Sequence, residues 1–393
     1  MSGGIYLDNS MTTRPSLVAV SAMMPFLRDQ WGVPSAPHAK GTELISVIER
    51  SYRSLYRLLG ASEGDTVLLT SCGAESVNQV ISSAYTEVTL PTGKNQFVTT
   101  QIEEAPILMA MNHLEKMSCV IRSAKPNALG VITPEAIGDV LTARTALLSM
   151  SWANALTGVI HPVAEIGRLC RERGILFHLD ASHVLGKHFF DLEETGAHFI
   201  SFNGDNMHAP KGTGGLWIRR GTPCAPLIYG GMEQGGLRAG ALNIPGLVAL
   251  SIAADEAVDS RDLVCTEVAR FRNQLETRIK EVFPDTSVFY KNADRLPHVT
   301  AMGFPGVENE AFLYALNRKG VYACLGGGSL QRINLVLMAA GVDKTLSHTA
   351  LNFSLSRETT ESDIEKAAVI IGETAKKLQK FSGSLYPGVH HGS

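Results

Sequence analysis

The feature that most constrains this chain is an alternation. From about residue 43 to residue 260, short apolar runs take turns with segments of helical spacing. The runs TVLLT, QFVTT, CVIRS, TALLSMS, ILFHLD, FISFN and GLWIR read as buried strands. Segments such as ELISVIERSYRSLYRLLG, which ends on a glycine, and PVAEIGRLCRERG read as helices. Buried strands joined by helices predict an α/β protein with a mostly parallel sheet covered on both faces. Ligand sites in such sheets collect at the carboxyl ends of the strands.

The pattern changes after GLVALSIAADEAV. A long charged helix, TEVARFRNQLETRIKEVF, precedes SVFYK, HVTAMGF, NEAFLYALNRKG, VYACL, ALNFSLS and a last helix, ESDIEKAAVIIGETAKKLQKF. This predicts a smaller α+β domain. The expected division is a large domain over 16–258, a small one over 259–393, and a segment 1–15 joining them. No linker rich in Pro, Gly or Ser marks the boundary, so the two should pack firmly.

Bulk properties narrow the class. The 393 residues suffice for two domains and a large core. A net charge of −3 asks for neither nucleic acid nor an anionic membrane. Six cysteines without CxxC pairs or a joining His cluster point to a reducing cytoplasm and no structural zinc. No apolar stretch is long enough to span a bilayer. The start, MSGGIYLDNS, does not have the form of a secretory signal. The tail, GSLYPGVHHGS, reads as a loose end whose two histidines are solvated.

Five stretches could carry chemistry. In TSCGAESVNQVI a strand ends at Thr70 and a helix starts near Ala74, so its first amides form an anion site or an ordinary turn, with Gly73 allowing close approach. In ILFHLDASHVLGK, Asp180 ends an apolar strand. A carboxylate there needs a partner, such as a protonated pyridine nitrogen, or serves as a helix N-cap. His183 follows, placed to touch a ligand or to be structural. In SWANALTGVIHP, Asn154 and Thr157 line the crevice or shape a loop. YGGMEQGGLRAGALNIPG holds six glycines and Arg238, which suggests backbone close to a ligand or a second subunit, or a surface loop. In LNFSLSRETTESDIEKA, Arg357 clamps a carboxylate or makes a surface ion pair.

In this order the pieces resemble the class V aminotransferase family, and within it the cysteine desulfurases that supply sulfur for iron–sulfur clusters. IYLDNSMTTRP, GVPSAPH, TSCGAES, FHLDASHVLGK, APKGTGGLWI, GGMEQGGLRAGALN and SLSRETTESDIEKA carry the resemblance over nearly the whole chain. It implies the fold type I of pyridoxal phosphate (PLP) enzymes and a homodimer with PLP at the interface. It also implies an amino-acid substrate and a sulfur-acceptor scaffold protein. By the same resemblance Asp180 faces the pyridinium nitrogen and His183 the phenolic oxygen. The amides of Gly73 and Ala74 hold the phosphate, Arg357 binds the substrate carboxylate, and residues 230 to 240 lie near the two-fold axis.

The departures are as informative. Asn206 stands where the family has the lysine that forms the Schiff base, and an amide cannot form one. The family's histidine before it is Asp205, and the serine before that is Asn203. Ala74 and Ala241 replace two threonines expected on the phosphate, Ala155 replaces an asparagine beside the ring, and Glu104 replaces the stacking histidine. Lys211 belongs to the separate Pro-Lys-Gly element. The sulfur-carrying cysteine is expected in the loop YACLGGGSLQR, where Cys324 sits at the strand end, as a persulfide carrier or a buried core thiol. The resemblance therefore implies weak, non-covalent PLP and a cysteine desulfurase-like activity, an inactive dimeric binding or scaffold homologue, or another class V aminotransferase or C–S lyase activity.

Overall fold

The computed structural model describes residues 3–327 and 331–385. The tail histidines His390 and His391 lie outside the described residues, as does part of the glycine loop after Cys324.

Twelve strands are described: β1 (Ile5–Tyr6), β2 (Thr66–Thr70), β3 (Gln96–Thr100), β4 (Val120–Ala124), β5 (Thr145–Ser151) and β6 (Leu176–Asp180), followed by β7 (Phe199–Asn203), β8 (Gly214–Ile218), β9 (Ser287–Val288), β10 (Val299–Gly303), β11 (Val321–Tyr322) and β12 (Ala350–Ser354). Seven of them form the main sheet in the order β2-β8-β7-β6-β5-β3-β4. The pairs among β7, β6, β5, β3 and β4 are parallel, while β8 runs antiparallel to both β2 and β7. The sheet is thus mostly parallel, with one reversed strand. That reversal follows from the short 204–213 connection, which holds no crossover helix.

Both faces of the sheet are covered. Val67, Leu69, Val98, Leu148, Phe177 and Trp217 belong to one buried cluster, and Leu68, Phe97, Leu147, Phe199 and Leu216 to another. This explains why the strands read as near-continuous apolar runs, except for the edge strand β4, expected to be buried from CVIRS but mostly exposed. The helix Ile45–Leu59 ends at Gly60, whose φ of 68° closes it with a left-handed cap. The helix Ile244–Asp259 buries ten of its sixteen residues, including Leu247, Leu250 and Ala254, which accounts for its nearly continuous apolar sequence.

A three-stranded antiparallel sheet, β12-β10-β9, lies with the helices Ala269–Val282, Asn309–Arg318 and Glu361–Leu385. Its core gathers Phe283, Phe304, Phe312 and Phe353. The SVFYK and VYACL runs give strands of only two residues each. The start of the chain joins this unit: β1 pairs with β11, and Asp8 bridges to Ser354. From there residues 10 to 16 cross to the main sheet, where Thr13 N–H donates to Asp205 O at 2.8 Å and Ser16 N–H to His208 O at 2.8 Å.

Candidate active site

Three strand ends converge at one edge of the main sheet. After β2 the chain turns into the helix Gly73–Ala84, after β6 it turns through Ser182 and His183, and after β7 it enters the short 204–206 turn. A Cβ added at Gly73 would lie 3.4 Å from Asn203 Cβ and 3.5 Å from Ser182 Oγ, so the three turns are in contact. Gly214 packs against the same entry, with Cys72 and Gly73 backbone atoms 2.6–2.9 Å from an added Cβ. Small residues at these positions let the loops close on one another.

Asp180 ends β6. One carboxylate oxygen accepts from Ser182 N–H at 2.9 Å, and the other from Ser201 Oγ at 2.8 Å. Burial raises its pKa, and the nearby Glu104 carboxylate adds to the rise. Behind it a relay crosses the sheet. His178 meets Ser149 Oγ at 2.8 Å and Ser201 Oγ at 2.9 Å, and burial holds its pKa down to about 3.

His183 is paired. Its Nε2 lies 2.6 Å from Glu104 Oε1. Burial works against the Glu104 carboxylate, yet the charge and hydrogen bond of His183 and a hydrogen bond from Gln331 hold its pKa below the ordinary value. Glu104, where the resemblance leads one to expect a stacking histidine, is thus an acid tied to His183. Next to it, Glu103 accepts from Thr100 Oγ1, Ser151 N–H and Ser151 Oγ at 2.7–2.8 Å, and burial still pushes its pKa up to about 7. The sequence reading did not single out Glu103, whose only signal was an acid following a strand.

The 203–206 turn is filled by its own side chains. Gly73 N–H donates to Asn203 Oδ1 at 3.1 Å, and Asn203 Nδ2 donates to Asp205. Asp205 also accepts from Thr12 Oγ1 at 3.0 Å and lies 3.4 Å from Lys211 Nζ. Asn206 is 4% exposed and donates from Nδ2 to Ser10 O at 3.0 Å. It therefore faces the crossing segment rather than an open mouth, because the amide can satisfy a buried carbonyl there. His208 takes a positive φ of 68° and is held by Thr13 Oγ1 on its N–H and Arg14 O on Nδ1, both at 2.8 Å.

The remaining candidates are engaged elsewhere. Arg357 pairs with Glu256 of the helix Ile244–Asp259, and Ser16 Oγ donates to that same carboxylate at 2.9 Å. Cys324 is 5% exposed and its Sγ accepts from Gly326 N–H at 3.0 Å. Burial, then the Asp8 carboxylate, pushes its thiol pKa well upward, which disfavours the nucleophilic thiolate. Asn154 Oδ1 accepts from Leu156 N–H, Thr157 N–H and Thr157 Oγ1, so this pair shapes a turn. Arg238 Nε lies 3.0 Å from Glu75, whose other oxygen accepts from Ser71 N–H at 2.7 Å. Lys211 is two-thirds exposed and bonded to Thr12. In the glycine-rich stretch, Gln234 accepts from Leu69 N–H at 2.7 Å and donates to Leu69 O at 3.0 Å, completing the free edge of β2.

A PLP group anchored by a Schiff base does not fit this arrangement. Asn206, where the resemblance leads one to expect the amine, is a buried amide bonded to Ser10 O. An amide donor at the helix entry is already bound to Asn203, Ala74 has no hydroxyl, and the Asp205 carboxylate lies one hydrogen bond away. The ring half is closer to the expectation, since Asp180 and His183 stand beside each other at the end of β6.

Comparison with known proteins agrees with the fold. The profile of the family "Aminotransferase class-V" matches residues 5–367. A cysteine desulfurase of Nostoc sp. (strain PCC 7120) is 35% identical over 382 residues, covering 96% of this chain and 94% of that protein. The cysteine desulfurase NifS of Azotobacter vinelandii is likewise 35% identical over 382 residues, with the same coverage. Among solved structures, a NifS-like protein superposes with a TM-score of 0.88 at 28% identity, covering 95% of this chain and all of the other.

Proposed function

Since the chain belongs to the class-V aminotransferase family, whose fold is that of the PLP-dependent type I enzymes, and is cysteine desulfurase-like within it, we propose that it works as a binding member of that family without a Schiff base of its own. The observation that carries this reading is Asn206, buried and hydrogen-bonded to Ser10 O where the amine would stand. An amide nitrogen is not a nucleophile, so no covalent anchor forms there. PLP is then held weakly and non-covalently. The engaged state of Arg357 and the buried, high-pKa thiol of Cys324 point the same way.

In this reading the chain is a cytoplasmic homodimer. Exposed apolar side chains near the glycine-rich stretch, Tyr229 at 75% and Met232 at 81%, support a second copy there. Its binding roles follow those of its kin: an amino acid as ligand and a sulfur-acceptor scaffold protein, in the context of iron–sulfur assembly. Sulfide release from cysteine, measured in the presence of added PLP, tests the proposal. No turnover is expected, and steady-state sulfide production would overturn it.

A further inference from the structure

The contacts around Asn203 and Asp205 go beyond a missing lysine. We infer that Asn203 and Asp205 form an internal plug that makes the helix entry at Gly73 a poor phosphate site, and that they weaken cofactor binding independently of residue 206. This deepens the reading of the site given above, and it rests on a different set of atoms.

The first amides of a helix have no intrahelical partner and attract an anion unless something else satisfies them. Here the carbonyl end of Asn203 accepts from Gly73 N–H at 3.1 Å. A phosphate oxygen cannot take that proton without displacing the side chain. The amide end of Asn203 donates to Asp205, so its orientation is fixed from both sides.

Asp205 is in turn anchored. Thr12 Oγ1 donates to it at 3.0 Å, and Lys211 Nζ stands at 3.4 Å and also bonds Thr12. The backbone repeats the tie, with Thr13 N–H and Thr13 Oγ1 both donating to Asp205 O at 2.8 Å. The plug is therefore continuous with the segment that crosses from the small sheet. An incoming phosphate dianion meets an occupied donor, and a carboxylate held one hydrogen bond behind it. Like charge at such a distance disfavours binding, and Lys211, solvent-exposed 3.4 Å from Asp205, offsets only part of it.

The prediction concerns which residues must change. Three proteins are compared by absorbance and fluorescence titration with PLP: Asn206→Lys alone, Asn203→Ser/Asp205→His alone, and all three together. Asn206→Lys is expected to bind PLP at least tenfold more weakly than the triple variant. Equal affinity of the two would overturn the plug. A second readout avoids the cofactor. In thermal denaturation with inorganic phosphate, the wild-type chain is expected to show no shift, and Asn203→Ser/Asp205→His a rise. A wild-type shift as large as the variant's would also contradict the inference. These arms are separable from the proposed function, which is tested on the wild-type chain itself, by sulfide release and by covalent labelling with PLP.

Discussion

Asn206 Nδ2 donates to the carbonyl oxygen of Ser10 at 3.0 Å, so this buried residue is a structural link between the 203–206 turn and the crossing segment. Removing that link leaves a buried carbonyl without its partner. Asn206→Ala is expected to destabilise the protein by about 1–2 kcal/mol. Urea denaturation checks this, with a lower midpoint and an unchanged slope as the expected result. No change in midpoint would mean that the bond contributes nothing.

Lys187 carries a second prediction. It is 9% exposed, its Nζ has no hydrogen-bond partner, and burial pushes its pKa down to about 8, with Asp205 opposing. The native state thus holds a proton less readily than the unfolded chain. The cost is full below pH 8 and is relieved as pH rises toward the unfolded value. Lys187→Met should stabilise the protein by about 1 kcal/mol or more at pH 7. The gain should shrink by pH 10. A variant that is less stable at pH 7 would show that the ammonium is well satisfied.

Acid should weaken the fold through its histidines. Burial lowers the pKa of His161, His198 and His208 to about 4 and of His178 to about 3. The unfolded chain therefore binds more protons than the native one below about pH 6.5, and stability falls as pH drops toward 4. Glu103 and Asp8 oppose this, because their pKa values are raised by burial to about 7 and about 6. Asp180, also raised by burial, joins these two, while burial lowers His188 and His298 as well, so six histidines against three carboxyls set the sign. Urea midpoints measured from pH 7.5 to pH 4.5 should fall, and a rise across that window would refute the assignment.

Gly204 is fixed by contact. A Cβ there would lie 2.3 Å from Thr213 Oγ1 and 2.9 Å from Thr213 O. Gly204→Ala should cost about 1–3 kcal/mol by forcing the turn and β8 apart. Thermal unfolding reads the effect, and an unchanged midpoint would show that the turn can shift freely.

How much of this was legible beforehand depends on the range of the signal. The buried strands of the main sheet carry their own apolar runs, and TVLLT, QFVTT, TALLSMS and FISFN coincide with β2, β3, β5 and β7. The reversal of β8 is written in the connection rather than in the strand: the polar, hairpin-like stretch between FISFN and GLWI returns the chain antiparallel to β7. SVFYK and VYACL look like strands but pair over only two residues each, the first with β10 at the edge of the small sheet and the second with β1 in a separate pair. At the site, residue types could be read but partners could not. Nothing local in the sequence says that Arg357 meets Glu256, 101 positions away, or that His183 meets Glu104, 79 positions away. Glu103 was passed over for the same reason: its three donors come from Thr100 and Ser151.

The central claim is that this family member lacks a covalent anchor for PLP. The most direct test incubates the wild-type protein with PLP, reduces it with borohydride and measures its intact mass. The account predicts an unmodified chain at PLP concentrations that label a lysine-bearing cysteine desulfurase in parallel. A single pyridoxyl adduct mapped to one lysine, whether Lys211 or Lys187, would contradict it.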